Sequence, residues 1–260
     1  MSRVGTFLLA SDPRYRERTS PRAIVRVAIL ASILFAILAS LYAYVPVWAK
    51  GYGSYFRGFG DAAFSQFWIW PRASIEFFDL NSPTLVADLR KRGLPENFPI
   101  REANGVKDTL VLCENSNESH RQLGQLRTSS KIVGYWPTAM VLALAVSTPW
   151  PWKRIRWVIL WCLLSVHALI VARLTIFALK GSFAVPAKSI RIFTPSEFWS
   201  GLLLRLDEVV NDDPTFNFIA AFVLWIGVLV LLELWRGWRE AQRKPIRTEV
   251  RPRIERPLRR

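Results

Sequence analysis

Cysteine and histidine are scarce in this 260-residue chain. There are two of each: Cys113 and Cys162, His120 and His167. Cys113 falls in a hydrophilic segment and Cys162 inside an apolar run, so the two are not expected to meet and no disulfide is expected. No His-x-x-x-His or Cys-x-x-Cys spacing occurs, which removes the common zinc sites. There is no Gly-rich phosphate loop and no Gly-x-Ser-x-Gly elbow, so the two motifs of phosphate cradling and serine hydrolysis are missing. Carboxylates are absent from the apolar runs Val27–Val47, Ile132–Pro151 and Trp157–Leu179. A proton relay at membrane depth would need such groups. No metal and no cofactor is expected.

What the chain has in quantity is apolar residues, 51% of the total, with Trp at 12 positions. They are gathered into four blocks rather than spread in short periodic runs, which is the pattern of a membrane protein. The formal net charge is +15, and its placement matters more than its size. Residues 1–26 hold six Arg and two acids, and residues 236–260 hold ten Lys/Arg and three Glu. Residues 48–131 are nearly neutral, with eleven cations and nine acids. The excess sits beside apolar blocks, where it orients a membrane protein and meets anionic lipid. No recognition motif accompanies the charge, so a nucleic-acid partner is not expected.

The expected architecture is an integral membrane protein, mainly α, with four transmembrane helices, a small outer α+β segment and an outer amphipathic helix. Residues 1–26 form a basic cytoplasmic tail and 27–48 the first span, read as an uncleaved anchor because its apolar core exceeds that of a signal peptide. Residues 49–131 form the extracytoplasmic α+β segment. Its start, residues 51–61, reads as a pliable Gly/aromatic connection, and residues 62–70 as an interfacial segment or strand. Residues 74–80 and 108–114 read as strands, 83–90 as a short helix begun by Ser82 and Pro83, and 114–131 as a polar linker. Pro95 and Pro99 bracket a loop, and Asn117-Glu118-Ser119 fits a glycosylation sequon.

The second span, 132–152, and the third, 157–179, are joined by the turn 153–156. That turn carries Lys153, Arg154 and Arg156 and no acid, which puts it in the cytoplasm. Residues 180–217 return outside with an amphipathic helix at 195–210, opened by a Thr194–Glu197 capping box. The fourth span is 218–235, and residues 236–260 form a second basic cytoplasmic tail. The setting is the cell membrane, with both termini cytoplasmic.

Three ionisable residues fall inside apolar blocks and are functional candidates for that reason. His167 is expected to be neutral and bonded to a neighbouring helix. Arg173 is expected to snorkel outward. Glu233 is expected to pair with Arg236 one turn on. At 100° per residue, His167 and Arg173 point about 120° apart and do not share a face. Outside the blocks, Cys113 and His120 lie in an exposed segment with cations near enough to acidify a thiol.

An outer Cys, a span, an Arg-rich inner turn and an Arg near the outer end of the next span resemble the layout of the exosortase/archaeosortase membrane transpeptidases. The resemblance covers residues 110–180. It implies Cys113 as nucleophile and Arg173 as its basic partner; His120 joins that candidate set only by its position seven residues from Cys113. The chain departs from that family: Cys113 lacks the Cys-Ser-Gly-type setting, the span count is about half, and no His follows Arg173. The absence of a complete catalytic set and the aromatic outer segments lead instead to a non-catalytic accessory, scaffold or assembly subunit of a larger membrane complex. Its expected partners are the bilayer, anionic lipid included, and other membrane subunits.

Overall fold

The computed structural model describes residues 21–64, 73–91, 107–117, 120–183 and 196–243. Residues 1–20 and 244–260 of the basic tails, the segment around residues 65–70, the loop at Pro95 and Pro99, Thr194 of the capping box and two residues of the sequon lie outside the described residues. The chain runs α1 (Pro21–Tyr44), α2 (Pro46–Phe64), β1 (Ala73–Asp79), α3 (Leu85–Lys91), β2 (Thr109–Asn117) and β3 (His120–Thr128). A π-helical turn, Ser130–Tyr135, leads into α4 (Trp136–Ser147). Then follow α5 (Trp152–Phe183), α6 (Glu197–Asp207), a second π turn (Glu208–Asp212) and α7 (Pro214–Arg243).

Among the described residues, four helices are long and apolar enough to cross a membrane: Arg22–Tyr44, Ser130–Ser147, Trp152–Lys180 and Thr215–Arg239. They differ sharply in burial. The second is 67% buried, whereas the first is 6% and the last 11% buried. The Ser130–Ser147 helix is therefore the centre of the bundle, packed on α1, α5 and α7. Its contacts are made by small residues. Val141 and Ala145 meet Val158, Cys162 and Val166 of α5 and Ala221 and Val228 of α7, and short side chains let the backbones approach closely. The outer flanks of α1, α5 and α7 expose large apolar residues in rows, among them Ile29, Ile33, Ile37, Leu160, Leu164, Val223, Val230 and Leu234.

Proline sets the first break. Pro46 has no N–H to give to the carbonyl one turn back, and it restricts Val45, so α1 ends at Tyr44 and α2 starts afresh at Pro46. The residues at 51–61, expected as a pliable connection, are helical throughout. One glycine explains how a Gly-rich stretch stays in place as a helix. A Cβ on Gly60 would stand 2.8 Å from the ring of Phe77, so glycine there is what admits β1. Arg57 and Asp61 then fasten α2 to the strand. Arg57 Nη2 bonds Asp79 Oδ2 at 2.8 Å, and the Phe77 N–H donates to Asp61 Oδ1 at 2.8 Å.

The sheet is antiparallel in the order β1-β2-β3. Ile75 pairs Cys113 and Phe77 pairs Val111 across β1 and β2. Side chains alternate, so β2 buries both faces. Val111 and Cys113 join Phe56 and Phe64 of α2 and Ile170, Leu174 and Ala178 of α5. Leu110 and Leu112 join Leu85 and Leu89 of α3 on the other side. The segment 114–131, expected as a linker, supplies β3 instead, paired with β2 from Asn117↔His120 to Thr109↔Thr128. Its polar composition fits a strand at the sheet edge, where few side chains need a core. Asp108 ties this sheet to the bundle: its carboxylate takes the Ser130 N–H at 2.8 Å and also the Ser130 hydroxyl.

Candidate functional site

Arg173 is the largest fully buried side chain in the structure, at 0% exposure. It does not snorkel. Its Nε donates to Asn211 Oδ1 at 3.2 Å and its Nη1 to Asn217 Oδ1. The Phe216 ring lies 5.6 Å from the guanidinium carbon. Asn211 is held in turn: its Nδ2 donates to Asp207 Oδ1 at 2.8 Å and to the Arg173 carbonyl at 3.3 Å. Asp207, 1% exposed, accepts from Lys180. Five polar residues from α5, α6, the second π turn and α7 thus form one network inside apolar surroundings. A buried guanidinium without partners would be expensive, and the chain meets that need with two amides and one carboxylate nearby. Arg173 Nη2 and Asn217 Nδ2 make no hydrogen bond among the described residues.

This network turns α6 inside out. Asp207 faces the bundle, while Phe198, Trp199, Leu204, Leu206 and Val209 are exposed. A helix docking onto a soluble core would do the opposite. The expected amphipathic helix is present, from Glu197 to Asp207, and it is its polar end that docks.

His167 meets a different neighbour. Its Nδ1 lies 2.7 Å from the Leu163 carbonyl, which can only accept, so Nδ1 carries the proton. Nε2 lies 2.5 Å from the Tyr55 hydroxyl, so the ring is hydrogen-bonded between its own helix and α2. Phe59 packs edge-on against the same ring. His167 faces α2 and Arg173 faces α6 and α7, so the two do not share a site. Glu233 lies 3.7 Å from Arg236 at the far end of α7.

Cys113, expected on an exposed segment, is 3% exposed on the apolar face of β2. Burial pushes its thiol up to about 12. The guanidinium of Arg173 spends its bonds on Asn211 and Asn217 rather than on the thiol. Cys113 and Arg173 do border the same turn of α5, because Ile170 and Leu174 belong to the cluster around Cys113. His120 opens β3, with its backbone opposite Asn117. Among the described residues, no group of three or more His, Cys, Asp or Glu is placed to hold a metal.

The residues that sequence reasoning missed here are Asn211, Asn217, Asp207, Lys180 and Tyr55. Each is an ordinary polar residue outside or at the edge of an apolar block. The signal was indirect: an Arg deep in an apolar helix needs acceptors, and Asn217 is the last polar residue before the final apolar run. No family model, curated protein or solved structure matches this chain.

Proposed function

We propose that this protein is a four-span integral membrane protein with both termini in the cytoplasm, serving as a non-catalytic accessory or assembly subunit of a larger membrane complex. The rows of exposed Ile, Leu and Val on α1, α5 and α7 support insertion, since lipid is the solvent that accepts such a surface. The cations Lys153, Arg154 and Arg156, which lie in the first turns of α5 with no acid among them, support the orientation. The observation that carries the non-catalytic role is how the reactive-looking groups are used. Arg173 ties α5 to the second π turn and α7, His167 is hydrogen-bonded between α5 and α2, and Cys113 is core packing. The remaining outward feature is α6, whose apolar residues face away from the chain and fit lipid or a neighbouring subunit.

Cysteine-accessibility labelling tests the orientation. Single cysteines at 154 and 245 are expected to be protected from an impermeant reagent added outside, and cysteines near 107 and 200 to be labelled. Outside labelling at 154 would reverse the model.

A second reading, a cysteine-dependent transpeptidase, has one observation in its favour: Cys113 and Arg173 border the same turn of α5. One experiment separates the two. Only a thiolate attacks, and the folded value of Cys113 lies well above its ordinary 9.0. The folded state therefore favours the protonated thiol, a stabilisation present below pH 9.0 and lost as pH rises toward 12. Alkylation of the folded protein should stay slow from pH 7 to 9, and unfolding should restore an ordinary titration. In cells, Cys113→Ala should cost about 1 kcal/mol of stability and leave complex formation intact. Cys113→Ser should cost more, about 1–3 kcal/mol, because it buries a hydroxyl. Fast alkylation at pH 7 with both variants inactive would establish the enzyme reading and end ours.

A further inference from the structure

At the end of the bundle opposite the sheet, the start of α5 and the end of α7 enclose a cavity of about 320 Å³. Arg154, Arg236 and Arg239 line it, with Trp150, Trp157, Trp235, Leu232 and Glu233. Three guanidiniums face one carboxylate, so the cavity is cationic. Two details give it shape. The Arg239 guanidinium stacks 3.7 Å from the centre of the Trp235 ring, which fixes that cation over an aromatic wall. Glu233 sits 3.7 Å from Arg236, which orients that cation while leaving the cavity with an excess of positive charge.

The apolar side of the cavity does not stop at its rim. Along α5 the exposed residues Trp157, Leu160, Trp161 and Leu164 continue away from the cations as two rails, Trp157–Trp161 and Leu160–Leu164. A ligand fitting this shape has an anionic head of phosphate size and an apolar tail lying along α5. Arginine forks suit phosphate oxygens, and tryptophans suit the boundary where an apolar chain meets a polar head. A free anion would use the guanidiniums and leave the apolar rails idle. A zwitterionic lipid would bring its own cation into an already cationic cavity.

We propose that this cavity binds one anionic phospholipid, its phosphate among Arg154, Arg236 and Arg239 and its acyl chains along the rails of α5. This rests on the membrane reading above and goes further, from a general attraction of basic tails to a single defined site.

The test uses the full chain purified in neutral detergent. Native mass spectrometry would count bound dioctanoyl phosphatidylglycerol, dioctanoyl phosphatidylcholine and inorganic phosphate, each added alone and in competition. Flotation with vesicles, with and without phosphatidylglycerol, is run beside it. We expect flotation with both vesicle types and one tightly held phosphatidylglycerol that phosphatidylcholine does not displace. Arg154→Gln with Arg239→Gln should weaken that lipid by about thirtyfold, since each cation near a phosphate is worth roughly a factor of five. Lys153→Gln, on the same turn but outside the cavity, should change it less than twofold. Should the double Gln variant misfold, Arg154→Lys with Arg239→Lys keeps the charge and should retain the preference for the anionic lipid. Equal retention of the two lipids, or a bound lipid indifferent to both double variants, overturns the site while flotation leaves the membrane reading standing. Inorganic phosphate held as tightly as the lipid overturns it in favour of a soluble anion. Failure to float with either vesicle overturns the membrane reading itself.

Discussion

Asn217→Leu is expected to cost more stability than removing the arginine it serves. The Asn217 carbonyl accepts from a guanidinium with no exposed surface, and leucine would leave that cation buried with one acceptor fewer. Breaking such an arrangement from one side costs about 3–5 kcal/mol, because the stranded charge keeps its desolvation penalty. Arg173→Met removes the charge together with its needs and fills similar space, so its cost should be about 1–2 kcal/mol. The order of the two is the informative part. Both cysteines are buried and free, so a thiol-reactive fluorophore reads unfolding directly during a thermal ramp. An Asn217→Leu midpoint at or above that of Arg173→Met would show that the network does not carry the guanidinium as described. Arg173→Met combined with Asn217→Leu should be milder than Asn217→Leu alone, which is the coupling expected of contacting residues.

The second large effect is expected at Gly134, in the π turn before α4. A Cβ there would lie 2.7 Å from Phe56 Cδ2 and 2.9 Å from the Tyr52 hydroxyl, so α2 can close on the bundle only against a bare backbone. Gly134→Ala should destabilise by about 1–3 kcal/mol through overpacking, and Gly134→Leu should keep α2 from docking. Gly227, on α7, is the natural comparison, since nothing lies within 4 Å of a Cβ placed on it. Gly227→Ala should be neutral or stabilising by up to about 1 kcal/mol, the helix-propensity difference. Equal midpoints for Gly134→Ala and Gly227→Ala would show that the α2 contact adds nothing. Trypsin cleavage after Arg57 reports the docking itself: it should be slow in the native chain and fast in Gly134→Leu.

The four apolar helices were legible because length and composition alone define them, although residues 153–156, expected as a turn between two spans, are helical and open α5. The strands at Ile75–Phe77 and Leu110–Cys113 were legible from runs of apolar and β-branched residues. Three features were not. The helix at Pro46–Phe64 looks like a linker because glycine is a poor helix former, and what holds it in place lies in Phe77 and Gly134, far along the chain. The strand His120–Thr128 looks like a linker because an edge strand needs a partner more than it needs apolar residues. The Arg173 network was invisible because its acceptors, Asn211 and Asn217, carry no signature and meet the arginine only once α5, α6 and α7 are packed. Local pattern reports what a segment would do alone, and these three are settled by what it touches.

Sequence separation within that network has a consequence for how the chain is made. Asn211 and Asn217 follow Arg173 by 38 and 44 residues. A ribosome adding about 5–20 residues per second delivers them only after several seconds. Throughout that interval the nascent α5 holds a cation whose two side-chain acceptors in the folded chain have not yet been made. In the proposed topology the helix must wait at the insertion machinery, with Arg173 near water, until the last apolar helix arrives to seal it. Chains that stop short of residue 211 would carry an unsealed α5, and cellular quality control would recognise them by that arginine.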